Sequence, residues 1–249
     1  MHLQLSTWQE IDSYLERSTG VIIPIGSTEQ HGPNGFIGTD ALCPEIIAKG
    51  IGERIDALIA PTLSIGMAQH HLGFAGSVTL RPTTLIAVVR DVVQSLACHG
   101  FDKFFFLNGH GGNIATVNAA FSEIYADSSL APAGSNRPGL RCKLCNWWDA
   151  PAANSLRKEL YGHAEGSHAT PSEVAITYFA YPEHVKTASM SPKIAPNGPI
   201  LDAADYRRRF PDGRIGSDPS LATVEAGQKL YQAAVDDLAK MYQSFLSAE

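Results

Sequence analysis

No stretch of the 249-residue sequence approaches 18 consecutive apolar residues, so a membrane-spanning helix is excluded. Basic clusters are also scarce. Apart from the run YRRRF at residues 206–210, lysines and arginines are dispersed, and the formal charge of -6 with a pI near 5.8 argues against a nucleic-acid or membrane partner. YRRRF alone reads as a solvated face or an interface. There are only four cysteines, and the opening MHLQLSTWQEIDSYLERS is amphipathic rather than a basic start followed by an apolar block, so a reducing cytoplasm is the expected compartment. Cys142 and Cys145 form a C-x-x-C without a second pair. In the apparent strand LRCKLCNW, residues three apart face opposite sides of a sheet, which favours buried thiols over a metal or redox site. The Walker lysine, the G-x-G-x-x-G order and internal repeats are missing too.

What is present suits one α/β domain spanning residues 1–249, because 44% hydrophobic content can bury a full core at this length. Short apolar runs, GVIIPIG, ALIAPTLSI, KFFFLNG and LRCKLCNWW, alternate with helical periodicity over 41–55, 83–99 and 113–127. This pattern predicts an α/β fold with a mainly parallel central sheet and helices on both faces. Thr170, Pro171 and Glu173 make a capping signature for a further helix, and a last helix is expected over about 219–246. Residues 186–218, rich in Pro, Gly, Ser and Asp, read as a long loop.

Two polar motifs fall at strand ends, where the loops of an open parallel sheet gather. GSTEQHG follows VIIPI, and NGHGGN, residues 108–113, follows KFFFL. Glu29 and His31, two apart, project to one side of an extended chain, and Asp40 opens the next helix. With His110 they supply two imidazoles and two carboxylates, a mixed N/O set suited to Zn, Mn or Fe. A carboxylate can bridge two ions. Each residue also has a bland role: Asp40 as a helix N-cap, His110 as a backbone-bonding loop residue, Glu173 as a capping-box partner. The NGHGGN loop could instead cradle a phosphate, which would make the chain a phosphate- or nucleotide-binding protein. A structural metal site fits poorly, since no cysteine falls in these motifs. His70 and His71 follow the second apolar run. Adjacent residues diverge, so one of them, His71, is expected to approach the site, as a substrate-binding residue.

These residues carry a resemblance. The stretches LSTWQEID, IIPIGSTEQHGPNGFIGTDAL, HHLGFAGSVTL, FFFLNGHGGN, HATPSEVA and GRIGSDPSLATVEAG, spread over essentially the whole chain, resemble the creatininase (creatinine amidohydrolase) family. The resemblance implies a three-layer α/β/α sandwich and a homo-oligomer, commonly a hexamer. It also implies two divalent ions, Zn and/or Mn with Fe as an option, at a dinuclear centre where a metal-bound hydroxide attacks a small-molecule amide. Carried over by motif, Glu29, His31, Asp40 and His110 would be ligands, Asp40 the bridge, and Glu173 a further ligand counted with the catalytic groups. His168 would shuttle the proton to the leaving nitrogen, with His163 and Glu165 as runners-up. A tryptophan in the region of Trp147 and Trp148 would line the substrate pocket, and one of that consecutive pair is expected to face away. One departure stands out: creatininase itself is expected to carry an acidic ligand two residues after the histidine of N-G-H, where this chain has Gly112. That form resembles the wider family, which includes formamide deformylases and a peptidase-like branch.

Overall fold

The computed structural model describes residues 1–132, 135 and 139–248. Strands β1 (Gly20–Ile25), β2 (Lys103–Asn108) and β3 (Arg141–Asn146) form a parallel sheet in that order. Ile25 pairs with Asn108 and Asn108 with Asn146, so all three strands end level. The loops that follow them therefore emerge side by side, which is the geometric origin of the site. The run at residues 57–63 differs from the predicted strand. It lies parallel to β1, with Ala60 N donating to Ile22 O and Leu63 N to Pro24 O, but only isolated bridges form. Pro24 has no amide hydrogen to donate to this run, so the ladder that Ile22 begins is interrupted there.

Helices cover both faces. The helices are α1 (Trp8–Leu15), α2 (Thr39–Ile55), α3 (Pro82–Ala97), α4 (Asn113–Ser129), α5 (Pro151–Tyr161), α6 (Pro171–Ala180), α7 (Ala203–Arg209) and α8 (Val224–Ser247). Strand residues alternate between two cores: Ile22, Phe105 and Leu107 pack with α2, α5, α6 and α8, whereas Val21, Ile23, Phe104 and Phe106 pack with α3 and α4. This is the three-layer α/β/α arrangement. Cys145 joins the first core and Cys142 edges the second, so the C-x-x-C thiols do lie on opposite faces.

Two features depart from the sequence reading. Helix α5 was not expected, and residues 186–218 are more than loop. They contain α7, and Tyr206, Phe210 and Ile215 form a small core of their own. Arg214 is fully buried there. Its guanidinium donates to Asp212 Oδ2 and to the carbonyls of Lys193, Ser217 and Pro192 at 2.8–3.0 Å. One side chain thus ties the segment to itself where apolar periodicity is too weak to announce an element. Within YRRRF, Arg208 and Arg209 pair with Asp205, and Arg207 lies 4.4 Å from the Phe74 ring centroid.

Candidate metal centre

The loops after β1 and β2 meet the first turn of α2 at very close range. A Cβ at either Gly26 or Gly109 would lie 2.0 Å from the Asp40 carbonyl oxygen, so only glycine lets both backbones approach. That approach delivers Glu29, His31 and His110 to Asp40. The helix N-cap is Gly38, so Asp40 does not cap its helix and its buried carboxylate is left for the site.

Asp40 faces both ways. Its Oδ1 lies 2.8 Å from His31 Nε2, and its Oδ2 lies 2.8 Å from His110 Nδ1. Glu173 Oε1 lies 3.7 Å from His31 Nε2, while Glu29 Oε2 lies 3.3 Å from His110 Nε2. Two triads result, Glu29–Asp40–His110 and His31–Asp40–Glu173, each with ligand atoms within 4.8 Å of one another, and they share Asp40. His168 completes a third grouping with Glu29 and His31.

Backbone carbonyls hold the imidazoles. His31 Nδ1 meets Glu29 O at 3.0 Å, His110 Nε2 meets Met67 O at 2.9 Å, and His168 Nε2 meets Gln30 O at 2.8 Å. A carbonyl only accepts, so each of these nitrogens carries hydrogen, and the opposite nitrogen is left to face a carboxylate: His31 Nε2 and His110 Nδ1 face Asp40, and His168 Nδ1 faces Glu29. Both oxygens of Glu29 and Asp40 Oδ2 are buried without an aligned hydrogen bond. Three unpartnered oxygens on two buried carboxylates, with Glu173 beside them and carbonyl-oriented imidazoles facing them, are a donor set that fits divalent Zn, Mn or Fe.

The electrostatics agree. Burial opposes charging of His31, but Asp40 and Glu173 outweigh it and lift the ring to about 10. His110 rises to about 9 because Glu29 and Asp40 likewise overcome burial. Asp40 is held well below the usual carboxylate range, since His31 and His110 outweigh its desolvation. Burial pushes Glu173 up to about 7. Without an ion, protons on His31 and His110 balance the carboxylates.

His71 behaves differently from these three rings. Gln30 Nε2 lies 3.1 Å from its Nδ1. An amide nitrogen only donates, and because His168 Nε2 already carries hydrogen toward Gln30 O, the two amide hydrogens are left for His71 Nδ1 and the Gly213 carbonyl; Nδ1 then accepts, and the protonated Nε2 faces Glu29 Oε1 at 2.9 Å. Burial, followed by the charges of His70 and His110, keeps this ring neutral. His71 therefore steadies Glu29. His70 also reaches the cavity, contrary to the expectation that only one of the pair would, because residues 69–71 form a 3-10 turn in which neighbours diverge by less than in a strand.

A cavity of about 450 Å³ opens over the cluster. Asp40, His110, His168 and Glu173 line it, as do both Trp147 and Trp148. The expectation that one tryptophan faces away fails for the same reason as at His70: β3 ends at Asn146 and a 3-10 turn takes over at Trp147–Asp149. Trp147 is also a core residue. Glu165 lines the cavity, whereas His163 is exposed and does not. Glu173 keeps its capping box, with Thr170 N donating to Oε1 at 2.6 Å, so one carboxylate serves both helix and site. Ala169, at φ +51°, turns the chain between His168 in the cavity and Thr170 at the helix cap.

The phosphate-cradle alternative is short of donors and has the wrong charge around it. His110 N donates to Asn108 Oδ1 and Asn113 N to His110 O, and Asp40 and Glu29 sit where an anion would be repelled. Gly112 has a positive reason to be glycine. A Cβ there would lie 2.4 Å from His110 Nε2 and 2.7 Å from Met67 O, breaking the contact that orients His110. Gly112→Ala is therefore expected to weaken metal affinity by about 10–100-fold with little loss of folding, read by competition against a chelator; unchanged affinity would show that His110 is not a ligand.

Sequence reasoning overlooked Gln30 and Tyr206. The Gln30 carboxamide lies 3.1 Å from both His71 Nδ1 and Tyr206 OH and 3.0 Å from His168 Nε2. Its position between Glu29 and His31 was the available signal, since the middle residue of three must face away from its neighbours.

Known proteins resemble this chain throughout its length. The sequence model of the creatininase family, described as creatinine amidohydrolase, matches residues 4–242. A mycofactocin precursor peptide peptidase of Mycobacterium ulcerans is 28% identical over 233 residues, covering 87% of this chain and 82% of that protein. The creatinine amidohydrolase of Pseudomonas putida is 26% identical over 251 residues, covering 94% and 92%. A solved structure of creatininase with Mn superposes with a TM-score of 0.83 at 23% identity, covering 99% of both chains. Fold, motif order and family match agree: this chain belongs to the creatininase (creatinine amidohydrolase) family of hydrolases.

Proposed function

We propose that this chain, acting as one catalytic domain, is a metal-dependent amidohydrolase that cleaves a C–N bond, with two divalent ions, Zn and/or Mn or Fe, held by Glu29, His31, Asp40, His110 and Glu173. The observation that carries the reading is Asp40, whose two oxygens each lie 2.8 Å from a different imidazole and join two ligand triads. Bound there, two ions supply Lewis acidity and lower the pKa of water toward neutrality. His168 accepts and returns the proton, Trp147 and Trp148 flank the substrate, and Glu29 is steadied by His71. The substrate is a small amide, and the peptidase-like branch is the second reading, favoured by Gly112 and by the 28% identity to the mycobacterial peptidase. A cytoplasmic homo-oligomer, hexameric in the family's common form, belongs to the same proposal; exposed Leu5 and Trp8 suit a subunit contact.

Elemental mass spectrometry on protein purified without chelators tests it, with about two ions per chain expected. No metal, and none taken up on incubation with Zn, Mn or Fe, would remove the mechanism. Uptake should also release protons. Because His31 and His110 sit near 10 and 9, ions must displace their protons at neutral pH, so apparent affinity rises from pH 6 to 9. Calorimetry in buffers of different ionisation enthalpy should count about two protons released.

A further inference from the structure

Arg157 on α5 is, among the described residues, the sole lysine or arginine on the wall of the cavity above the cluster. Its side chain is 21% exposed. Nε donates to Asn154 Oδ1 at 3.2 Å and Nη1 donates to Glu165 Oε1 at 3.3 Å, both long bonds. Among the described residues, no acceptor takes the two hydrogens of Nη2 or the second hydrogen of Nη1. A guanidinium with three spare donors at a cavity wall is a fork that its one carboxylate, Glu165, engages through a single long bond.

Its support is built rather than incidental. Glu165 is only 6% exposed, and its Oε1 receives both Arg157 and the Ser172 hydroxyl. Glu165 Oε2 has no partner. Ser172 also meets the Thr170 hydroxyl at 3.2 Å and directly precedes Glu173. One carboxylate and one hydroxyl thus separate the guanidinium from the cluster, and Trp147 and Trp148 share the same cavity.

The geometry points to Arg157 as a carboxylate-binding subsite, so that the substrate is an amide carrying a free acid group apart from its scissile C–N bond, with an apolar or planar portion against the tryptophans. This rests on the amidohydrolase reading above. A monoanion fits better than a phosphate, because Glu165 beside the fork penalises a second negative charge. Glu165 is a positioning residue that fixes the guanidinium. The competing account is that Arg157 only neutralises Glu165.

A matched pair of probes separates these accounts: N-benzoylglycine and its amide N-benzoylglycinamide, which differ only in the acid. Binding to the metal-loaded protein is read by tryptophan fluorescence, since two of the three tryptophans line the cavity. The acid is expected to bind about tenfold or more tighter than the amide, and Arg157→Gln to remove that preference while leaving amide affinity within about twofold. Arg157→Lys should retain part of the preference, because the charge survives without the fork. Equal affinities in the wild type, no binding of either probe, a preference that survives Arg157→Gln, or an equal loss for both probes would each overturn the subsite. Repeating the titration after chelator treatment keeps the two readings apart: a preference persisting in a protein that never takes up metal would uphold the subsite and sink the metal mechanism.

Discussion

Asp40→Asn is expected to lower metal content from about two ions per chain to below one and to reduce amide hydrolysis by about 10³-fold or more. The reason is geometric. Both carboxylate oxygens are in use, each 2.8 Å from a different imidazole nitrogen, and an amide offers only one oxygen. Its NH2 group would face the other ring's nitrogen with no negative charge to hold an ion. The same change removes the charge that lets His31 and His110 carry protons inside the protein. The metal-free variant should therefore also melt at a lower temperature near pH 7. Elemental analysis and calorimetry on one preparation read both effects. A variant with two ions and normal turnover would reduce Asp40 to a buried helix residue.

His168→Ala should show the opposite division, with turnover down by about 10²–10⁴-fold and metal content nearly unchanged. His168 Nε2 is tied to Gln30 O, so the lone pair at Nδ1 faces the interior, 3.7 Å from Glu29 Oε1. Burial first, and the protonated His31 beside it, hold its pKa well below the usual value, which keeps the ring neutral and able to accept a proton. Its side chain is 12% exposed and lines the cavity, where a leaving nitrogen would depart. The structure also sharpens the alternative, because Glu29, His31 and His168 converge as a possible ligand group. Loss of an ion on His168→Ala would assign it to the metal instead of to the proton.

Much of this protein is legible in the order of its residues. Runs such as VIIPI and FFFL announce strands covered on both faces, because continuous apolarity has no solvated side to fit. The glycine-flanked GSTEQHG and NGHGGN stretches announce the site, since polar groups placed directly after such strands gather at one edge of a parallel sheet. Thr170 and Glu173 announce their helix through a local hydrogen-bond pattern that needs nothing from the rest of the chain. These signals are short-range, and short-range chemistry is what a sequence displays.

Other features depend on contacts between residues far apart in the chain. Asp40 could cap its helix or face the site until Gly38 takes the cap and the glycines of two loops, Gly26 and Gly109, press against the Asp40 carbonyl. His71 looked like a pocket residue, and its tautomer is set by Gln30, 41 positions away. The 186–218 segment looked structureless because its order comes from the Arg214 clamp and the packing of Tyr206 rather than from periodicity. Trp147 and Trp148 both reach the cavity because β3 stops one residue before them. By itself, the sequence determined the layers, the strand ends and the identity of the donor atoms, since these follow from local polarity and hydrogen bonding. Only the tertiary structure decided which nitrogen faces which oxygen and which cation stands over the cavity, because such distances arise only when separate elements are packed together.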